Sequence, residues 1–542
     1  MAKLTGGQAV VKSLIANGID TIFGLPGIQL DHLFNAFHDE GNSLRVINAR
    51  HEQGTAYMAF GYAQSTGKVG TYAVVPGPGL LNTTAALSTA YACHSRVLAL
   101  TGQIPSPFID QGFGHLHEIP DQLGLIAHLT KQAARIDHVS QAPQLVNDAF
   151  VALGSGVPRP VELEMAMDRL AEVGEATLLP PAKMPANPVP DLDAVKSAAK
   201  LLGTAKQPLI VVGGGALEAS EEVLRVAQML QAPVVSTRLG RGVVSDANYL
   251  SQSAPVGHRL WANADVVLAV GTRLQHHRQV WGEDADLKVV RIDLEPTQMN
   301  RISKPEVGLV ADAADGLSAL ADALETTNVK RASREDELVT LAAAVRTDVE
   351  SKVGPQCAFV KAMRAALPED GIYVDELTQV GYVARAMFPI YKPRHYIGSG
   401  YQGTLGSGFP TALGVKVANP DKPVLSVSGD GGFMFNVQEL ATAAQHGIDI
   451  VSVVFNDGAY GNVKRMQEDL HGGRVIATQL KNPDFVSLAE SFGVSGVRAE
   501  SPEMLRSAIE DALSRSGTTL IEVPVGKMPE PFGVTIPTSR AR

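Results

Sequence analysis

Cysteine is nearly absent: Cys93 and Cys357 are the only two thiols in 542 residues. They stand far apart in the chain, which excludes a disulfide framework or a zinc-ligand spacing and fits a reducing cytoplasm. Basic runs are also missing. A net charge of −10 and a pI near 5.8 argue against a nucleic-acid surface. No apolar run reaches the ~20 residues that a membrane span requires, so no membrane partner is expected. The N-terminal stretch MAKLTGGQAVVKSL reads as the start of an amphipathic helix, not as a signal peptide. What remains is an ordinary soluble composition, 45% hydrophobic and 19% charged. A chain of this length exceeds one compact core, and about three domains are expected.

Residues 1–175 alternate helical and strand patterns. GGQAVVKSLIANGI reads as a helix, TIFGLPG and LRVINA as strands, GTAYMAFGYAQSTG as a helix, and PVELEM as the closing strand. That succession is a doubly wound α/β pattern. The segment 175–190 holds five prolines and little periodicity, and reads as a linker. A second unit, 190–326, offers four strand-like runs, QPLIVVGGGAL, APVVSTRLGRG, ADVVLAVGTRL and LKVVRIDLEP. Its Gly213-Gly214-Gly215 lacks the full GxGxxG spacing, so the unit reads as a structural, Rossmann-like domain with any nucleotide site lost. A polar stretch at 326–336 precedes a third α/β unit, 350–530, closed by TLIEVPV, which echoes PVELEM in the first.

The chemistry concentrates in residues 423–462. An apolar strand ends in Gly429-Asp430-Gly431-Gly432, a helical pattern runs to about His446, and a second strand ends in Asn456-Asp457-Gly458. Both turns fall at the carboxyl ends of strands, where open α/β sheets hold ligands. The glycines admit backbone N–H groups to phosphate oxygens, and a helix N-terminus favours negative charge. Asp430 and Asp457 supply the kind of oxygen ligands that Mg²⁺ shares with phosphate and water. A GDG triplet alone is commonplace; the Asn-Asp pair 24 residues beyond it, at the next strand end, points to function.

GDG, 24 residues and Asn456-Asp457 together resemble the thiamine diphosphate motif of the acetolactate synthase, pyruvate decarboxylase and benzaldehyde lyase superfamily. The resemblance spans essentially the whole chain and implies three doubly wound α/β domains: pyrimidine-binding, central and diphosphate-binding. It implies Mg²⁺ held by Asp430, Asp457 and the carbonyl of Ala459, although the family usually has Asn-Asn where this chain has Asn-Asp. It also implies cofactor contacts at Gly429, Asp430, Gly431, Gly432, at Glu376, Leu377, Thr378 and Gln379, at Gly403 and Leu405, and at Tyr460, Gly461 and Asn462. Glu52, in RHEQGTAYMAFGYA, matches the family glutamate that hydrogen-bonds the aminopyrimidine and promotes its reactive tautomer. Taken alone, a carboxylate there would be an ordinary loop or cap residue. Leu405 matches the bulky apolar residue that wedges under the cofactor and holds its two rings close.

The expected substrate pocket departs most from the family. His115, His117 and Glu118 superficially suggest a metal set, but HxH without further ligands reads as a pocket loop. His117 falls where acetolactate synthases carry glutamine, and Gln29 where benzaldehyde lyase has histidine. LHEIPDQ resembles 5-guanidino-2-oxopentanoate decarboxylase. The tryptophan that acetolactate synthases place after the second metal ligand is missing. Lys464-Arg465-Met466 stands there, and reads as a surface charge cluster sooner than a carboxylate-binding site. The resemblance implies decarboxylation of a 2-oxo acid, followed by protonation to an aldehyde or addition to a second carbonyl to give a 2-hydroxyketone. His117 and Gln29 would handle protons and orient the acceptor. Alternatives are a simple decarboxylase, a hydroxyketone lyase or a non-catalytic relative, the last disfavoured by the intact Glu52. A homodimer is the expected minimum, because family sites form across a subunit boundary, and a homotetramer is expected. Some relatives hold FAD in the central domain; no motif here selects it.

Overall fold

Short apolar runs that are buried along their whole length, such as Pro208–Val212 and Val266–Val270, suit strands covered on both faces, and parallel sheets provide that cover. The structure, a computed structural model, describes residues 2–541. Its strands are β1 (Ala2–Thr5), β2 (Thr21–Gly24), β3 (Arg45–Asn48), β4 (Gly70–Val74), β5 (Val97–Gln103), β6 (Gln132–Ile136), β7 (Val161–Ala166) and β8 (Val173–Ala176), then β9 (Pro208–Val212), β10 (Val234–Ser236), β11 (Ser251–Gln252), β12 (Val266–Val270), β13 (Lys288–Asp293) and β14 (Val307–Val310). The last set is β15 (Ile372–Asp375), β16 (Tyr396–Gly398), β17 (Val424–Gly429), β18 (Val451–Asn456), β19 (Ser495–Arg498) and β20 (Thr519–Pro524).

Three parallel six-stranded sheets result, each layered with helices. The first runs β3-β2-β4-β5-β7-β6 and the third β16-β15-β17-β18-β20-β19. Counted from the first strand of each sheet, both follow the order 2-1-3-4-6-5, so β7 and β20 occupy equivalent places. That is the physical basis of the echo between PVELEM and TLIEVPV. The middle sheet runs β11-β10-β9-β12-β13-β14, the 3-2-1-4-5-6 order of dinucleotide folds. The expected three-unit α/β architecture is therefore present.

Four local expectations change. The opening residues are strand, not helix: β1 pairs antiparallel with β8, and the helix begins at Gly6 behind a Thr5–Gln8 capping box. The same pairing draws residues 175 and 176 of the expected linker into β8. The boundary drawn at 350 falls inside a helix, Glu335–Ala366, bent at Val353 just before Pro355. The helical pattern after the GDG turn is broken into Asp430–Phe433 and Glu439–His446.

The first and third units pack directly on each other. Helix Glu52–Thr66 crosses helix Gly408–Ala418 at two glycines. A Cβ on Gly414 would come within 2.5 Å of the Met58 carbonyl carbon, and one on Gly61 within 3.0 Å of that of Thr411. The helix that begins with Glu52 is thus seated backbone-to-backbone on the third unit.

Candidate active site

In each outer sheet the chain first winds one way and then the other from a switch point, between β2 and β4 and between β15 and β17. Crevices outside such switch points are where open α/β sheets bind ligands. At the β15/β17 switch the structure brings together the loops 376–379, 429–432 and 456–462. Asp430 is buried, and its Oδ2 accepts from the Gly458 N–H at 3.0 Å and the Asn482 amide at 2.6 Å. Asp457 accepts from the Ala459 N–H at 3.1 Å and the Gln379 amide at 2.7 Å. Burial raises both carboxyls; Asp457, pushed further by the charge of Asp430, reaches about 6. Among the described residues neither has an ion-pair partner.

Around this pair the backbone is shaped by close contacts. Tyr460 N–H bonds the Thr478 carbonyl and Leu480 N–H the Gly458 carbonyl, which leaves the Ala459 carbonyl outside both bonds. A Cβ on Gly431 would meet the Tyr460 ring at 2.7 Å, and one on Gly432 the Glu376 carboxyl carbon at 2.8 Å. These glycines therefore make room first for the protein's own side chains. Asn462, at the start of helix Gly461–Leu470, buries an Oδ1 that has no partner.

The loop after β15 divides its labour. Glu376 turns inward, is buried, and accepts from the N–H groups of Gly406 at 2.9 Å and Gly408 at 2.7 Å. Burial pushes its carboxyl up to about 7 while those N–H groups pull it back. It thereby braces the loop carrying half-buried Leu405, which Asn436 also holds through the Gly406 carbonyl at 2.6 Å. Thr378 caps helix Gln379–Met387, and the Leu377 side chain lies against Gly403. Of the four residues, Gln379 alone presents its side chain to the Asp430–Asp457 pair. Arg465 is buried, not on the surface, and donates to Gln379 Oε1 at 3.1 Å and to the Met528 carbonyl at 2.9 Å. The expected surface cluster is corrected at this position: two tertiary acceptors, one of them 63 residues away, draw the guanidinium inside.

The other switch point gathers Gln29, Glu52 and His117. Glu52 accepts from the Asn82 amide at 3.0 Å and lies beside the 76–79 turn, with Gly79 close to its Oε1. The turn is fixed by Gln122, which accepts from the Gly77 N–H at 2.8 Å and donates to Glu164 at 2.7 Å. His117 packs its carbonyl on Gly77 and adopts φ +70, a region that non-glycine residues occupy at a cost and that clusters at functional sites. Its Nδ1 is buried without a partner. Gln29, 3% exposed, donates to the Leu116 carbonyl at 3.1 Å, while its Oε1 is buried and unpaired. Glu118 is committed to the N–H groups of Gly112, Gly114 and His115, and His115 stacks on Phe108, so the HxH segment is a braced loop. No group of three or more metal-ligating side chains occurs among the described residues.

Three stretches of the chain match one family, unit by unit. Residues 4–125 match the thiamine pyrophosphate enzyme N-terminal TPP binding domain, 195–320 the central domain, and 377–523 the C-terminal TPP binding domain. A probable 2-ketoarginine decarboxylase of Pseudomonas aeruginosa is 32% identical over 96% of this chain and 94% of its own. A probable acetolactate synthase large subunit of Methanocaldococcus jannaschii is 32% identical over 96% and 92%, and the acetolactate synthase large subunit of Haemophilus influenzae 32% over 95% and 93%. The chain belongs to the thiamine pyrophosphate enzymes.

The residues present fit that cofactor. Two carboxylates with no ion-pair partner among the described residues, Asp430 buried and Asp457 half-buried, the Ala459 carbonyl beside them and the unpartnered Asn462 oxygen form a donor set suited to a hard metal and its diphosphate. In this thiamine pyrophosphate enzyme no hydrogen bond or ion pair links the Gln29–Glu52–His117 group to the Asp430–Asp457 group among the described residues.

The middle sheet also has its crevice. A cavity of about 1350 Å³ opens beside Gly213–Gly215, Gly271 and Arg273, whose guanidinium lies 4.6 Å from the Tyr401 ring. The expectation of a purely structural central unit did not anticipate this space. Sequence reasoning also missed Asn482, Asn82 and Gln122. Asn82 closes the PGPGLLN turn and was within reach of a reading that followed that turn. Asn482 stands 26 residues beyond Asn456, bonds its Oδ1 at 2.9 Å, and carries no local signal.

Proposed function

We propose that this chain is a Mg²⁺- and thiamine diphosphate-dependent enzyme that decarboxylates a 2-oxo acid and releases an aldehyde or joins the fragment to a second carbonyl. The observation that carries the proposal is the pairing of two sites: a carboxylate pair with no ion-pair partner among the described residues at one switch point, and Glu52 at the equivalent switch point of the matching sheet. In the proposed site Asp430, Asp457 and the Ala459 carbonyl hold Mg²⁺, and the 429–432 backbone, Gln379 and Asn462 surround the diphosphate. Leu405 would support the bound cofactor, and Glu52 would hydrogen-bond its aminopyrimidine. Bound thiamine diphosphate supplies the nucleophilic carbon and the electron sink for loss of CO₂. Glu52 then moves a proton at the pyrimidine nitrogen, Asn82 fixing the orientation of its carboxylate. His117, with a buried unpaired Nδ1, exchanges a proton with the product oxygen, and Gln29 Oε1 orients the acceptor.

The two half-sites meet, in this reading, between chains of a homodimer, with a homotetramer as the expected assembly. Exposed apolar residues beside both halves support it: Ile28, Phe113 and Leu116 near Gln29 and His117, and Met434 and Phe435 after the GDG turn. The central cavity exceeds the roughly 300–1,000 Å³ of typical ligand pockets, and its glycines and Arg273 suit a nucleotide such as FAD; flavin absorbance of the purified protein tests this. Among the described residues no helix is long and apolar enough to cross a membrane, and we propose a cytoplasmic enzyme. The names of its relatives make 2-ketoarginine and acetolactate-forming 2-oxo acids the first substrates to try. Incubation with thiamine diphosphate, Mg²⁺ and a panel of 2-oxo acids, with and without an acceptor aldehyde, should release CO₂ in a cofactor-dependent manner. Absence of cofactor-dependent CO₂ or ligated product across the panel would remove the proposal.

A further inference from the structure

Glu439 is a fully buried carboxylate of the third unit with no ion pair among the described residues, yet its oxygens are saturated. They accept from the Arg50 N–H at 3.1 Å, the His51 N–H at 3.1 Å and the Thr442 hydroxyl at 2.5 Å. Arg50 and His51 are the two residues immediately before Glu52, and His51 caps helix Glu52–Thr66. Gly54 leaves the opening for this reach, since a Cβ there would stand 2.5 Å from Glu439 Oε1. Nearby, the Asn48 carbonyl oxygen of the side chain accepts from Gln445 at 2.8 Å and His446 at 3.0 Å, and Arg50 donates to Gln445 at 2.9 Å. One short helix, Glu439–His446, therefore grips the strand end from which Glu52 departs.

We propose that Glu439 is a positioning residue for Glu52, acting across the domain boundary. The inference rests on the role proposed for Glu52 above. A carboxylate suits the place because three donors converge on it and it accepts only; an amide would set its NH₂ against one of them. Burying a carboxylate without a cation is unfavourable unless its lone pairs are filled, and here the filling groups are the amides that define where Glu52 begins. Because the same segment carries Asn436, which holds the Gly406 carbonyl, it also fixes the loop bearing Leu405.

The test compares wild type, Glu439→Gln, Glu439→Asp and Gly54→Ala as full-length protein. Backbone amide exchange is followed first without cofactor, and then turnover, KM and Mg²⁺ affinity with it. In Glu439→Gln the peptide spanning 50–51 should exchange about tenfold faster, the effect of losing one well-formed hydrogen bond, while the 430–433 peptide is unchanged. Turnover should fall at least about tenfold with KM and Mg²⁺ affinity retained, and Glu439→Asp should recover part of both losses. Gly54→Ala, which pushes the carboxylate off the same amides from the opposite side, should reproduce the pattern if Glu439→Gln does not fold. Unchanged exchange at 50–51 overturns the proposal, as does a loss of Mg²⁺ affinity equal to the loss of turnover, which would assign Glu439 to the metal turn instead. If wild type shows no cofactor-dependent turnover, the proposed function fails, while the exchange comparison still decides the contact.

Discussion

Replacing Gly414 with alanine puts a single methyl where the first and third units touch. The new Cβ would stand 2.5 Å from the Met58 carbonyl carbon and 2.6 Å from its Cα, with the carbonyl oxygen closer still. None of these is a flexible side chain, so helices Glu52–Thr66 and Gly408–Ala418 must separate by about 1 Å, and overpacking of this kind costs about 1–3 kcal/mol or more. Separation also loosens dispersion contacts along the crossing, and puts the loss near the upper end of that range. A domain of this size loses about 2–4 °C per kcal/mol, so a melting temperature lower by about 5–10 °C is expected. Turnover should suffer as well, because the displaced helix carries Glu52 at its first position. Scanning calorimetry and steady-state kinetics measure both. Gly354, which has open space where its Cβ would be, is the control; alanine there should stay within about 1 kcal/mol of wild type. A Gly414→Ala protein as stable and active as wild type would refute the backbone-to-backbone seating.

Three further outcomes follow from the site. Both metal-end carboxyls are raised by burial, Asp457 to about 6, and Mg²⁺ needs them ionised. Mg²⁺ affinity measured by calorimetry should therefore be full above that pH and fall up to about tenfold per unit below it, a flat profile contradicting the assignment. In the metal-free protein the sign for folding is the reverse: raised carboxyls favour the folded state at low pH, and that contribution is lost as pH rises through the window from the ordinary Asp value to about 6. Arg465→Met removes the tether on Gln379, and should weaken Mg²⁺ binding several-fold, of the order expected for a lost charge-assisted hydrogen bond; unaltered affinity would leave Arg465 with a packing role only. Glu52→Gln should lower turnover by about 10²–10⁴-fold, the range for general acid–base groups, with cofactor affinity nearly intact; unchanged turnover removes the proposed activation step.

The outer framework was legible because parallel strands announce themselves as short apolar runs and their carboxyl ends as glycine turns. GDG and Asn-Asp mark the ends of adjacent strands β17 and β18 by their spacing, whereas Glu52, just beyond β3, was singled out only by the family resemblance. Contacts decided by tertiary structure were not legible. Arg465 looked like a surface charge because nothing near it in sequence reveals that Met528 and Gln379 draw it inside. Glu439 meets Arg50 across 389 residues, a separation no local pattern encodes. The loop 376–379 was expected to meet the diphosphate, but nothing local shows that the Gly406 and Gly408 amides turn the Glu376 side chain inward. The opening residues read as helix because a strand of four depends wholly on its partner, β8. The space beside Gly213–Gly215 was invisible because a cavity is set by what surrounds it, not by the glycine run alone.

Mixing two inactive proteins reaches the heart of the matter. Glu52→Gln and Asp430→Asn each damage one half-site, and in a mixed dimer built across the subunit boundary one site collects both lesions while the other is wholly wild type. Random re-association of equal amounts should then restore about a quarter of wild-type turnover, as two-fold symmetry requires. If every site were formed within a single chain, each would keep one lesion, and the mixture would stay as inactive as its parents.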